Sequence, residues 1–183
     1  MRAGHYDRIA ASLHWLIGLA LIAQVVFGFL LDELAPRGTP SRGAVINLHK
    51  SIGIVLGLSI VLRLLWRLAH RPPAWPASMP NWQQRAARVS HAALYVGMLV
   101  LPVSGYVASN FSKHGVKLFG LALRPWGPDL PAVYDALNGL HVASGFAFTA
   151  LVIGHVMAAF KHAFVDRDMI FARIWPFSFR KTT

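Results

Sequence analysis

The sequence predicts an all-α membrane protein, a four-transmembrane-helix bundle with both termini in the cytoplasm. Three observations carry that expectation. First, 55% of the residues are hydrophobic and only 14% charged, where an ordinary soluble domain has roughly one-quarter charged residues. Second, four apolar runs, residues 9–31, 44–68, 89–109 and 133–162, each reach the roughly 20 residues that cross a hydrocarbon core about 30 Å thick. Third, twelve of the eighteen Lys and Arg fall on one side of these runs.

The third observation orients the bundle. Arg2 and Arg8 precede the first run, Arg63, Arg67, Arg71, Arg85 and Arg88 surround the second connection, and Lys161, Arg167, Arg173, Arg180 and Lys181 follow the fourth run. The opposite side holds Arg37, Arg42, Lys50, Lys113, Lys117 and Arg124, interleaved with Asp32, Glu33, Asp129 and Asp135. Positively charged loops stay inside, so both termini are expected in the cytoplasm and the bacterial inner membrane is the expected compartment. Topology thus explains the formal charge of +11, and no nucleic-acid partner is called for. The first run follows a short basic segment, but it is too long for a signal peptide and lacks an A-x-A site, so it is expected to be retained. Zero cysteines exclude disulfides, thiolate clusters and the C-x-x-C-H attachment of c-type haem.

The connections fit the spans. A short outer loop covers residues 32–43, a Pro-rich inner loop (RPPAWPASMP) ends at Pro80, a longer outer loop covers residues 110–131, and a tail follows residue 163. Pro102 lies inside the third run and should kink it, which membrane bundles tolerate when neighbours satisfy the freed carbonyl. The outer segment SKHGVKLFGLALRPWGP mixes basic and apolar residues and is expected to lie along the interface as an anchor. No internal repeat or low-complexity linker divides the chain, so residues 1–183 read as one domain.

The functional signal is histidine. NGLHVASGFAFTALVIGHVMA in the fourth run is apolar enough for a membrane helix and has nothing to titrate except His141 and His155. Fourteen positions on a helix separate them by about 21 Å and leave them within about 40° of one face. Facing lipid would be costly, so both should point into the bundle, one near each boundary. The first run starts inside, which puts His14 at the depth of His155. The second starts outside, which puts His49 at the depth of His141. Two levels of paired imidazoles suit two stacked cofactors with two axial ligands each; zinc, which gathers its ligands in one sphere, fits poorly.

Other residues could support those levels. Gly53 and Gly145 follow His49 and His141 by four residues, leaving side-chain-free patches on which a flat macrocycle could lie, although small residues also serve plain helix packing. His91 opens the third run on the inner side and could compete with His14. His162 reads as interfacial, and His5, His70 and His114 as solvated. Lys50, Lys113 and Lys117 could neutralise propionates and steer a small anion, or could merely be solvated cations. Arg63 and Arg67 could do the same at the inner end or only enforce topology.

With SLHWLIG, INLHKSIG, RLLWRLAHRPPAWP, RVSHAALYVGMLVLPVSGY, GLHVASG and IGHVMAAFKHAFVDRDMIFARIWP in place, the chain resembles the bacterial dihaem cytochrome b561 family over nearly its whole length. The resemblance implies two haems b, with His14 and His155 as axial ligands of an inner iron and His49 and His141 of an outer one. It also implies that His91 supports a ligand or a propionate without binding iron. Similar proteins pass electrons between the periplasmic side and membrane quinone, and one type oxidises superoxide while reducing ubiquinone; others anchor hydrogenases or dehydrogenases. The implied function is electron transfer from periplasmic superoxide, steered by Lys50, Lys113 and Lys117, to ubiquinone. The alternatives are an electron-relay anchor for a redox protein partner and a non-redox membrane protein with structural histidines. No motif in the chain is assignable to quinone.

Overall fold

The computed structural model describes residues 5–176; Arg2, Arg180 and Lys181 of the charge asymmetry lie outside the described residues. Helix α1, Arg8–Phe29, starts where the Asp7 carboxylate accepts a hydrogen bond from the Ala10 N–H at 2.8 Å, satisfying one of the donors a helix start leaves open. The same oxygen accepts from Trp66 Nε1 at 3.2 Å and so ties this start to the far end of the next long helix. A short turn, α2 (Leu31–Leu34), reverses the chain into α3, Arg42–Ala69. Helix α4 is Asn81–Asn110, and α5 is Pro131–Phe160 with proline in its first turn, where no N–H is needed. A π-helical turn, Lys161–Asp166, and a 3-10 turn, Phe171–Ile174, complete the described chain.

Four helices are long and apolar enough to cross a membrane: α1, α3, α4 and α5 with its π-helical turn. Helix α4 begins eight residues before the apolar run that marks it. Its first two turns, NWQQRAAR, are more than half polar and rich in the helix formers Gln, Arg and Ala; hydropathy registers only the apolar part of a helix, whereas hydrogen bonding continues beyond it. The bundle wears its apolar residues outward, as Leu58 at 68% exposure shows, which is what a hydrocarbon surrounding requires.

The packing is uneven. Helix α1 lies on α3, α3 on α4, and α4 extensively on α5, whereas α5 makes almost no close backbone approach to α1 or α3. A seam therefore separates α5 from the α1/α3 pair. At mid-height it is closed by the buried cluster of Ile17, Leu21, Leu56, Ile60, Met98, Leu101 and Phe148. Leu21 follows His14 by seven residues, Leu56 follows His49 by seven, and Phe148 stands midway between His141 and His155. Gly97 makes room for the Phe148 ring, since a Cβ there would stand 2.7 Å from it. Lipid is as apolar as these side chains, so the cluster stabilises by fit more than by burial from water.

The long outer loop contains a two-stranded hairpin, β1 (Val116–Leu118) and β2 (Leu121–Leu123), with Leu118 opposite Leu121. Its two turn residues, Phe119 and Gly120, both have positive φ (47° and 96°), as the primed turns that match strand twist require. Phenylalanine is strained there, and α3 holds the strand in place. Lys50 Nζ donates to the Gly115 carbonyl at 2.8 Å, the Lys117 N–H donates to Asn47 Oδ1 at 3.1 Å, and the Phe119 N–H donates to Ser51 Oγ at 2.9 Å. At the opposite end the tail folds back under α1. Trp15 Nε1 donates to the Ile174 carbonyl at 3.1 Å, and its ring meets Phe171 and Trp175 edge-on.

Candidate functional site

The seam holds the histidines in two pairs. His14 of α1 faces His155 of α5 with ring centroids 6.2 Å apart, and His49 of α3 faces His141 of α5 at 6.3 Å. Imidazoles bound on opposite sides of one metal ion by bonds of about 2.0 Å have their centroids about 6.3 Å apart. Each gap therefore suits one metal ion held between two imidazoles. His91 of α4 lies 5.5 Å from His155, too close for an ion in line between them, which puts it beside the pair and not across it.

Each ring is supported from a neighbouring helix. The His141 Nδ1–H donates to the Leu101 carbonyl at 2.9 Å, with Ser104 Oγ 3.4 Å away; this is how metal-binding imidazoles are usually oriented, with Nε2 left for the ion. His14 differs: Arg63 Nη2 lies 2.9 Å from its Nδ1, and a guanidinium can only donate, so a hydrogen bond there belongs to an imidazole protonated at Nε2; with Nε2 on a metal ion Nδ1 would carry the proton, and Arg63 would act on the ring through its charge. Gln24 Nε2 lies 3.1 Å from His49 Nδ1 and donates to the His49 carbonyl at 2.7 Å. Helices α1 and α3 thus brace each other's histidine. Gln24 is buried, and its Oε1 has no hydrogen-bond partner among the described residues, an unsatisfied acceptor beside one of the two gaps.

Among the glycines, the seam leaves the anticipated positions open. Gly145 has nothing nearer than Leu101 Cδ2 at 4.0 Å, and Gly53 nothing nearer than Gln24 Nε2 at 3.5 Å. Two others are in contact with the rings. A Cβ on Gly105 would stand 3.0 Å from His141 Cε1 and Nδ1, and one on Gly28 would stand 3.1 Å from His49 Cε1. Only a residue without a side chain lets these rings approach so closely.

The cations sit at both ends. At the hairpin end a cavity of ≈ 800 Å³ is lined by Arg42, Asn47, Lys50, His114, Lys117 and Tyr134 among others. An adjoining cavity of ≈ 330 Å³ takes in Lys113. Lys113 and Lys117 are exposed, whereas Lys50 is half-buried and tied to the hairpin backbone. At the other end Arg63 and Arg67 lie 5.6 Å and 5.4 Å from the centre of the Tyr95 ring. His5, His70 and His114 are exposed, and His70 stacks on Trp66 at 4.0 Å. His162 is half-buried, with Nδ1 2.6 Å from Asp168 Oδ2 and 3.4 Å from Asp166 Oδ2. Sequence reasoning missed Gln24, Gly28, Ser104 and Gly105. Gln24 carried a usable signal, a lone amide in an apolar helix; the two glycines and the serine resemble ordinary packing residues.

The profile of the family described as prokaryotic cytochrome b561 matches residues 5–177. Cytochrome b561 homolog 2 of Escherichia coli K12 is 32% identical over 164 residues, covering 89% of this chain and 87% of that protein. Cytochrome b561 homolog 1 of the same organism is 24% identical over 171 residues, covering 93% of this chain and 97% of the relative.

Proposed function

Since the chain belongs to the prokaryotic cytochrome b561 family, haem b electron-transfer proteins of the bacterial inner membrane, we propose that it carries electrons from periplasmic superoxide to ubiquinone. The observation that carries this is the spacing of the two histidine pairs, 6.2 Å and 6.3 Å, at opposite ends of one apolar cluster. Two haems b, one held by His14 and His155 and one by His49 and His141, would supply one-electron transfer and nothing else. His14, His49, His141 and His155 would hold these groups, and the substrate would then give up its electron without a bond to the metal.

The remaining work falls to the protein. Lys113 and Lys117, exposed around the hairpin-end cavities, draw in an anion, and Lys50 adds its charge from the cavity wall. Superoxide loses one electron there and leaves as neutral dioxygen, which the cations do not retain. Two such events, with two protons, match the reduction of one ubiquinone to ubiquinol near one of the levels. On this reading the hairpin end faces the periplasm and the termini the cytoplasm, which the charge asymmetry supports.

A second reading is an electron-relay anchor for a periplasmic redox protein. It is favoured by the exposed apolar hairpin tip, where Phe119 is 63% and Leu121 67% exposed. Stopped-flow absorbance of the purified chain after a superoxide pulse, with and without ubiquinone, separates the two. Direct reduction that slows in Lys113→Gln/Lys117→Gln supports superoxide. Reduction only with a periplasmic partner supports the relay, and no Soret band at all would leave the histidines structural.

A further inference from the structure

We infer that Arg63 makes the His14/His155 level the more oxidising of the two, so that an electron entering at the hairpin end settles at the end holding the termini. This rests on the electron-transfer reading above. One electron moves and no atom does. A donor at the hairpin end is oxidised by one electron, and the His14/His155 level holds that electron until a quinone-class acceptor takes it.

The basis is a difference within a symmetrical arrangement. Helix α3 reaches across to the α1 histidine through Arg63, and α1 reaches back to the α3 histidine through Gln24, each nitrogen about equally near its Nδ1 (2.9 Å and 3.1 Å). One brace is a cation and the other a neutral amide. Arg67 shares the Tyr95 ring with Arg63, its guanidinium 5.4 Å from the ring centre, and among the described residues no carboxylate pairs with either guanidinium. At the hairpin end Arg42 is matched by Asp32 at 2.7 Å, and Lys50 directs its ammonium to the Gly115 carbonyl. An added electron is an added negative charge. In the weakly screened interior it is held more strongly beside two guanidiniums, one of them 2.9 Å from a ring nitrogen, than beside an amide and a single ammonium, Lys50, that is turned to the Gly115 carbonyl.

Arg63 therefore acts by its charge beside His14 and not as a ligand. Potentiometric titration of the haem-loaded chain, followed in the visible bands, tests it. The native protein should titrate in two steps. In Arg63→Gln, which gives both levels a neutral brace, the upper midpoint should fall while the lower stays. The one-electron equilibrium between levels should shrink by about tenfold, which is about 59 mV. Arg63→Lys, which keeps the charge, should restore most of the gap. Arg67→Gln should move the upper midpoint the same way by less, and it serves if Arg63→Gln does not fold. A fall in the lower midpoint, a rise in either, or an unchanged gap in both neutral variants overturns the inference. A native protein that titrates in one step with one haem instead overturns the dihaem reading beneath it.

Discussion

The two histidine levels have nearly the same geometry and very different surroundings. Centroid separations of 6.2 Å and 6.3 Å follow from helix periodicity on α5 and from the opposed directions of α1 and α3. Around that frame, the His14/His155 level is crowded by His91, Arg63 and the Trp15 ring and is closed below by the folded-back tail. The His49/His141 level has neutral braces, and the chain neighbours of His49, Leu48 and Lys50, line a basic cavity beside the hairpin. The comparison teaches that ligand placement and ligand environment are separable. Long helices fix the first, whereas side chains from loops and neighbouring helices decide the second.

Removing one ligand tests that separation most severely. His49→Ala or His141→Ala should leave about half the haem per chain, all of it at the intact level, as read by pyridine haemochrome assay against protein. Loss of both haems would show that the levels do not form independently. His91→Ala should keep both haems and perturb only one set of bands. If it instead removes one, the assignment of His14 as the ligand opposite His155 is wrong.

A smaller effect is expected from refilling the notches. Gly105→Val drives atoms into His141, and Gly28→Val does so into His49, each costing about 1–3 kcal/mol by overpacking and weakening haem retention at the hairpin end only. Thermal unfolding followed in the Soret band would detect this, and Gly145→Ala, with open space before it, should be nearly silent. Gln24→Leu removes one donor and one unsatisfied acceptor together, so a net change of only about 1 kcal/mol is expected; a spectral change at the His14/His155 level would contradict the bracing scheme.

The smallest effect belongs to the surface. Arg42, through its hydrogen bond first and its charge second, holds the Asp32 carboxyl below the ordinary carboxylate range. A lowered value means that the pair stabilises above the ordinary aspartate pKa and loses that contribution as pH falls through the lowered one. The difference in melting temperature between the native chain and Asp32→Asn should be slight, because the pair is exposed, and should vanish in acid.

Much of this architecture is legible in the residues. Four spans, their approximate limits and the matching of His14 with His155 and His49 with His141 follow from hydropathy and the periods of a helix, because a membrane leaves the backbone few choices. The start of α4 at Asn81 was not legible, since its first turns are polar and outside the lipid. Nor was the hairpin, whose VKL and LAL strands are too short to outweigh the interface pattern. Gly28 and Gly105 were passed over for Gly53 and Gly145 because the latter share a helix face with a histidine. Ring contact is instead made across helices, at positions set by how α1 packs on α3 and α4 on α5.

The sequence by itself therefore determined the number of spans, the facing of the histidines and their two depths, all consequences of repeats along single helices. Only the tertiary structure decided that Arg63 meets His14, that Gln24 meets His49 and that Leu101 offers its carbonyl to His141. Those contacts depend on the rotation and approach of one helix against another, and residues far apart in the chain carry no periodic mark of that.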